Sequence, residues 1–336
     1  VFSELAARYS GKLDKMMHDV VVAAPAAPGF DVLIQYPLGW VDEHGAPYNQ
    51  PTGKRIRPLL VLLCAEAAGG DWERALPVAA AVELLHNFSL VHDDIQDDSP
   101  IRHGRPTVWR VWGTANAING GDALFTLSYC ALERLIGTVA PEVALGVWSI
   151  FNRTNLELTR GQHLDMRFEH QATVTVDDYI SMVGGKSAAL VSASAQMGAL
   201  VGSGSADIAA HFAEFGTNLG VAFQIRDDIL GIWGDPKVTG KSAATDILKR
   251  KKSLPVLFGL AESKKLVKLY GRKKFGEDEV VAALDYLSDV GAAAYAERLE
   301  SEYFAAALAA LEKTGMKSDA MHKLHQLAHA LFGRTY

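Results

Sequence analysis

Along most of the chain, apolar residues recur at three- and four-residue steps with almost no sustained alternation, a pattern that predicts helices rather than strands. Leu76, Ala80, Leu84 and Val91 form one such stripe, and Phe212, Phe215, Leu219 and Phe223 another. Proline marks the interruptions. Five of the twelve prolines fall between Pro25 and Pro51, among Gly29, Gly39 and Gly45, so residues 25–52 read as a long loop after a short first helix. No proline occurs from Glu142 to Asp235 or after Pro255, and helices are expected to dominate there. Gly120-Gly121-Asp122 predicts a break with Asp122 as the next N-cap, and Val174-Thr175-Val176-Asp177-Asp178 predicts another, with an acidic helix start. The uncharged stretch Ser187 to Ala206 has the length of a membrane span, but Ser, Ala, Gly and a Gln fill it, so it reads as a closely packed core helix. No composition shift marks a linker and no fixed-period repeat occurs, so the expectation is one all-α domain over residues 1–336.

Composition narrows the classes of function. The 336 residues carry 33 Lys+Arg against 39 Asp+Glu, a net charge of −6, with 49% hydrophobic and 21% charged residues. Disorder and collagen-like repeats are excluded, and the mild acidity argues against electrostatic capture of nucleic acid. Cys64 and Cys130 lie far apart in no zinc-ligand spacing, so neither a disulfide framework nor a structural zinc is indicated. With no apolar leader and no transmembrane segment, the chain reads as cytoplasmic.

Three clusters carry candidate chemistry. Asp93-Asp94-Ile95-Gln96-Asp97-Asp98 follows an apolar helical run and places Asp93 and Asp97 one turn apart, with Asp94 and Asp98 repeating the pairing. Carboxylates so crowded disfavour an isolated helix, and a hard divalent cation relieves the repulsion. Mg²⁺ takes only one or two carboxylates and completes its shell with water and substrate phosphates. A second Asp pair, Asp227-Asp228, closes another apolar run at Phe223-Gln224-Ile225-Arg226. Gly53-Lys54-Arg55-Ile56-Arg57-Pro58 opens an apolar helix, where Lys54, Arg57 and the helix N-terminus together suit an anion. Further cations stand at Arg102, Lys186, Lys241 and Lys251, and His86 lies seven residues before Asp93, on nearly the same helix face. Read singly, each cluster has a plain alternative: a solvated acidic helix end, a basic loop in water, a packed histidine. Of Lys249-Arg250-Lys251-Lys252, a site role falls to Lys251 only and the rest reads as a solvated face.

Taken in order, GKRIRP, HNFSLVHDDIQDDSPIRHGRPT, GQHLD, KSAAL, FQIRDDILGIWGDPKVTGK and KKSLP resemble the trans-isoprenyl diphosphate synthases, the polyprenyl synthetase family. The likeness runs from about Gly53 to Pro255, residues 53–255. It implies the isoprenoid synthase fold, a homodimer of all-helical subunits whose helices surround a central cavity, with the two Asp motifs on opposing walls. By position, Asp93 and Asp97 resemble ligands of two Mg²⁺ ions and Asp227 the ligand of a third, with Asp94 and Asp228 supporting them. Arg102, Lys186 and Lys241 resemble residues that grip the allylic diphosphate, and Gly53, Lys54, Arg57 and His86 those that bind isopentenyl diphosphate. Gln224 and Gln162 match polar positions near the reacting centre.

Two positions depart from the family. His103 stands where a second Arg usually helps bind isopentenyl diphosphate, and a neutral imidazole is a poorer phosphate partner. Gly231 stands where the second acidic motif usually ends in Asp, and Asp235 offers a replacement carboxylate through water. A class I terpene cyclase would also use Asp-rich metal sites but has no use for the basic cluster at Gly53. His103 motivates a prenyltransferase with another acceptor, and Gly231 an inactive subunit of a heteromeric synthase. For product length, Ser89 lies one turn below Asp93, Phe88 is the nearest bulky group, and Leu85 and Val82 lie deeper. The family closes its cavity after fifteen carbons with aromatics at both of the first two positions. With one absent and no insertion in the Asp motif, the pattern resembles geranylgeranyl diphosphate synthases and implies a twenty-carbon product.

Overall fold

The computed structural model describes residues 2–48, 53–171, 173–234, 245–272 and 274–332. The first helix, α1 (Phe2–Val21), buries Leu5, Tyr9, Leu13, Met17 and Val20, one apolar side chain per turn. The stretch expected to be loop holds a short helix, α2 (Phe30–Gln35), entered from Gly29 at φ 77° and burying Leu33 and Ile34. Six residues are too few to show a period, and the surrounding prolines masked them. α3 (Ile56–Ala67) starts from Arg55 in a left-handed conformation and carries Pro58 in its first turn, where a missing N–H costs little. A 3₁₀ turn, Trp72–Ala75, leads into α4 (Leu76–Gln96), buried continuously from Leu76 to Leu85. By length and composition Trp72–Gln96 could cross a membrane, but 72% of its apolar window is buried inside the protein.

After α4 comes a two-residue hairpin, β1 (Ile101–Arg102) with β2 (Arg105–Pro106), in the register Arg102 opposite Arg105. His103 at φ 51° and Gly104 at φ 76° form its tip, both left-handed as a tight hairpin turn demands. α5 (Val108–Glu133) kinks at Gly113, not at Gly120-Gly121-Asp122. Those two glycines sit inside the helix for packing: a Cβ at Gly120 would lie 3.1 Å from Leu33, and one at Gly121 2.2 Å from the His92 ring. The expected break is therefore a site of close approach.

α6 (Pro141–His170) precedes α7 (Val176–Val183), whose N-terminus is the predicted acidic one. Thr175 and Asp178 form a reciprocal capping box there. A π-helical turn, Gly184–Ala188, joins α7 to α8 (Ala189–Ser203). Gly198 and Gly202 press α8 onto the Val61 and Ala65 carbonyls of α3, the close packing expected of this small-residue helix. α9 (Ala206–Trp233) then runs to α10 (Thr245–Leu248), α11 (Leu254–Glu262), α12 (Lys264–Tyr270), α13 (Glu277–Asp289), α14 (Ala292–Glu312) and α15 (Asp319–Phe332).

By contacts the chain forms two compact units. The first comprises Val1–Ile150, Ser194–Ala209 and Lys317–Leu324, and the second Phe151–Ala193, Ala210–Met316 and His325–Tyr336. The core of the second includes Tyr179, Met182, Val183, Val221, Ile225, Ile229 and Leu254.

Candidate active site

In the first unit the acidic motif ends α4. Asp93 and Asp94 lie in the last helical turn, Asp97 is the C-cap, and Asp98 turns left-handed at φ 48°. The expected one-turn pairing of Asp94 with Asp98 is thus broken, because the helix has already ended. Neighbouring carboxylates also differ in environment. Asp94 is buried and accepts from Arg102 Nε at 2.8 Å, while Asp93 is half-buried with Arg102 Nη2 3.6 Å away and Asp97 is exposed. Burial pushes the Asp94 carboxyl up to about 6, against the pull of Arg102.

The hairpin supplies Arg102 and the first turn of α3 supplies Arg57, with Lys54 just before the Arg55 N-cap. Arg57 Nη1 lies 3.4 Å from His86 Nε2 on α4. Burial, with Arg57, Arg102 and His103 as neighbours, pushes the His86 imidazole well below its usual range. His103 is lowered in the same direction by desolvation and Arg102, so it too is neutral near pH 7. Arg57, His86, Arg102 and His103 therefore share one electrostatic neighbourhood beside the acidic motif. Lys54 and Gly53 lie at its exposed edge in sequence, ahead of α3.

Below Asp93 on α4, the Ser89 hydroxyl donates to His86 O, Leu85 is fully buried and Phe88 is half-buried. Phe88 touches His92 edge-on at 4.8 Å and Phe125 at 5.0 Å between ring centres. The series continues through Tyr129 at 5.3 Å to Trp148 at 5.6 Å.

In the second unit the other acidic pair lies inside α9, followed by Ile229 to Trp233, and not at a helix end. Asp227 is exposed and Asp228 is 1% exposed. Asp228 accepts from Tyr179 OH at 2.7 Å, from Leu254 N–H at 3.0 Å and from Gln224 Nε2 at 3.2 Å. Gln224 in turn accepts from the Ser187 hydroxyl at 2.7 Å, beside Lys186 in the π turn. That turn is pressed onto α6: a Cβ at Gly161 would lie 2.0 Å from Lys186 N, and one at Gly185 2.6 Å from Glu157 O. Such π insertions occur often at functional positions, and this one carries Lys186. Lys186 Nζ pairs with Asp165 at 2.5 Å, three residues beyond half-buried Gln162 on α6. Lys251 Nζ lies 3.7 Å from Asp228 and 3.8 Å from Asp246. Although burial pulls it down, Asp228 and Asp246, with Asp165 and Asp227, raise the Lys251 ammonium above the usual lysine range.

The basic run around Lys251 is only partly a solvated face: Lys249 is exposed, but Arg250 and Lys252 are half-buried. Arg250 donates to the Tyr270 and Arg272 carbonyls, and Lys252 donates to Phe168 O and Gln171 O, capping the end of α6. Lys241 and Asp235 lie outside the described residues; the carboxylate placed against Gly231 is Asp246. Sequence reasoning passed over Tyr179, Asp165 and Asp246. Asp165 lay within GQHLD and so carried a signal, whereas Tyr179 and Asp246 are joined to the site only through space.

Among the described residues, no three acidic, histidine or cysteine side chains form a ready-made metal cluster. The donor set nonetheless suits Mg²⁺. Asp93 and Asp97 in the first unit and Asp227 in the second place carboxylates at partly or fully exposed positions, and Asp94 and Asp228 accept hydrogen bonds inside the protein. An ion that needs only one or two carboxylates per site, with waters and phosphate oxygens as the rest, fits these residues.

Comparisons with known proteins extend this picture. The sequence model of the family described as polyprenyl synthetase matches residues 39–287. A (2E,6E)-farnesyl diphosphate synthase of Mycobacterium tuberculosis is 38% identical over 315 residues, 91% of this chain and 87% of its own. A geranylgeranyl diphosphate synthase of the same organism is 41% identical over 281 residues, 82% of this chain and 79% of its own. The crystal structure of a polyprenyl synthetase from Streptomyces coelicolor A3(2) superposes with a TM-score of 0.89 at 33% identity, covering 98% of this chain and 99% of that one. The family match takes in the basic start of α3 and both aspartate-bearing helices, and on that evidence the chain belongs to the polyprenyl synthetase family.

Proposed function

We propose that this trans-prenyltransferase condenses isopentenyl diphosphate with an allylic diphosphate in a Mg²⁺-dependent reaction and releases mainly the twenty-carbon product. The observation that carries the reading is the division of labour within each aspartate pair. One member, Asp94 or Asp228, is buried and accepts internal hydrogen bonds, and its neighbour is more exposed, Asp93 near Arg102 and Asp227 near Lys251. Asp93 and Asp97 would hold two ions and Asp227 a third. When bound, the ions supply Lewis-acid neutralisation of the leaving diphosphate.

Arg102, Lys186 and Lys251 bind and orient the allylic diphosphate, adding fixed positive charge where negative charge develops. Lys241 completes that set by position in the sequence. Lys54, Arg57 and neutral His86 hold isopentenyl diphosphate, with Gly53 leaving room for its approach. Gln224 and Gln162 orient the reacting ends. The carbocation left by ionisation is attacked by the isopentenyl double bond, and the released diphosphate takes the final proton. Apolar walls exclude the water that would quench the cation. Phe88, backed by Phe125 and Tyr129, supports a floor beneath the first acidic motif, and small Ser89 beside it favours twenty carbons over fifteen.

A homodimer is part of this reading, supported by exposed apolar side chains such as Ile118 on α5 and Leu145 on α6, and sedimentation of the purified chain tests it. Activity is tested with Mg²⁺, isopentenyl diphosphate and each allylic primer in turn, product length being read by chromatography. Turnover of a primer without isopentenyl diphosphate, to a cyclic product, would replace this reading with the cyclase.

A further inference from the structure

Gly231 lies on α9 one turn past Asp227 and Asp228. A Cβ at that position would stand 2.5 Å from Asp246 Oδ2 and 3.0 Å from its Cγ. The same oxygen is 3.8 Å from Lys251 Nζ, whose other carboxylate neighbour is Asp228 Oδ1 at 3.7 Å. The main chain reinforces the arrangement. Lys251 N–H donates to Asp246 O at 2.8 Å, closing a turn after α10 in which Arg250 adopts φ 52°. An ammonium on a flexible stem is thus held between carboxylates from two elements, one of which lies where a Cβ at position 231 would fall.

We infer that Asp246 is the positioning residue for Lys251: its carboxylate, lodged against Gly231, holds the Lys251 ammonium beside Asp228 and so aims it at the allylic diphosphate. The inference rests on the reading of Lys251 as a diphosphate contact. Lysine is a point charge with several rotatable bonds, so one carboxylate alone leaves its direction poorly defined. Asp228 is a weak sole anchor, since its oxygens already accept from Tyr179, Leu254 and Gln224. Both Lys251 separations exceed hydrogen-bond length, so the two carboxylates steer the ammonium without consuming its N–H donors. Because position 231 and the Asp246 carboxylate share one space, the charge can be moved between them.

The test uses Asp246→Ala, Asp246→Asn, Gly231→Ala, Lys251→Ala and the double variant Gly231→Asp with Asp246→Ala. Steady-state kinetics with each substrate are paired with calorimetric titration of inorganic diphosphate in the presence of Mg²⁺. Asp246→Ala should raise the KM for the allylic primer about fivefold, the upper end for a partly exposed ion pair, and leave that for isopentenyl diphosphate unchanged. Inorganic diphosphate should bind more weakly by a similar factor. Gly231→Ala should act in the same direction by displacing the carboxylate. The double variant should recover the parent KM, which a merely structural role for Asp246 would not produce. Asp246→Asn keeps the shape and serves if the alanine variant does not fold. An unchanged allylic KM in Lys251→Ala would refute the role of Lys251 itself. A raised KM in Lys251→Ala with none in Asp246→Ala or Asp246→Asn overturns the inference alone, as does loss without recovery in the double variant.

Discussion

Replacing Phe88 by Ala tests where the hydrocarbon tail stops. The ring is half-buried, in contact with His92 at 4.8 Å and Phe125 at 5.0 Å, so it is supported from two sides yet not enclosed. A fully buried Phe→Ala change costs about 3–5 kcal/mol, and partial exposure here brings the expected loss to about 2 kcal/mol, which the fold should survive. The substitution deletes six ring carbons, and one isoprene unit contains five. A benzene-sized space of roughly 150 Å³ is opened, enough for one further unit. The next obstacle is Phe125, itself backed by Tyr129 at 5.3 Å and Trp148 beyond. Phe88→Ala should therefore shift the main product by one unit, to twenty-five carbons, and Phe88→Ala with Phe125→Ala should extend it again. Ser89→Phe should shorten it towards fifteen carbons. The assay is chromatography of dephosphorylated products after incubation with isopentenyl diphosphate and geranyl or farnesyl diphosphate. A folded Phe88→Ala protein with the parental product distribution would refute the placement of the floor. Unlimited extension by the single variant would refute the backing role of Phe125.

Other expectations follow from the site. Asp93→Ala and Asp227→Ala should each abolish most turnover with helicity intact by circular dichroism, because each removes an outward carboxylate; near-normal turnover at saturating Mg²⁺ would sink the metal assignment. Asp228→Ala should behave differently from its neighbour, since it strands the Tyr179 hydroxyl, the Leu254 amide and Gln224 in a buried place. A loss of about 3–5 kcal/mol is expected in thermal melts, and equal stabilities of the two variants would contradict it. His103→Arg should lower the KM for isopentenyl diphosphate about tenfold and leave that for the allylic primer unchanged, as a charge-assisted bond replaces a neutral one. Since desolvation and Arg102 hold the His103 pKa below its usual value, the parent gains positive charge only below the ordinary histidine range, so its KM for isopentenyl diphosphate should fall on acidification. The arginine variant should lack that component, and parallel pH profiles for the two proteins would refute it.

The helical class, the acidic start of α7, the tight packing of α8 and the candidate residues of both acidic motifs could all be read along the chain. Each depends on periodicity or on residues a few positions apart, which a linear pattern displays directly. Family resemblance then assigned roles by position. What the pattern could not show depends on approaches between distant segments. Gly120 and Gly121 look like a helix break but are sites where Leu33 and His92 come close. Asp94 and Asp228 look equivalent to Asp93 and Asp227 until burial and the donors Arg102, Tyr179 and Leu254 separate them. The run around Lys251 looks solvated until Arg250 and Lys252 find carbonyls at the ends of other helices. Gly231 looks like a lost carboxylate, and only the folded chain brings Asp246 into the same space, because desolvation and hydrogen bonding act between neighbours in three dimensions and leave no period in the sequence.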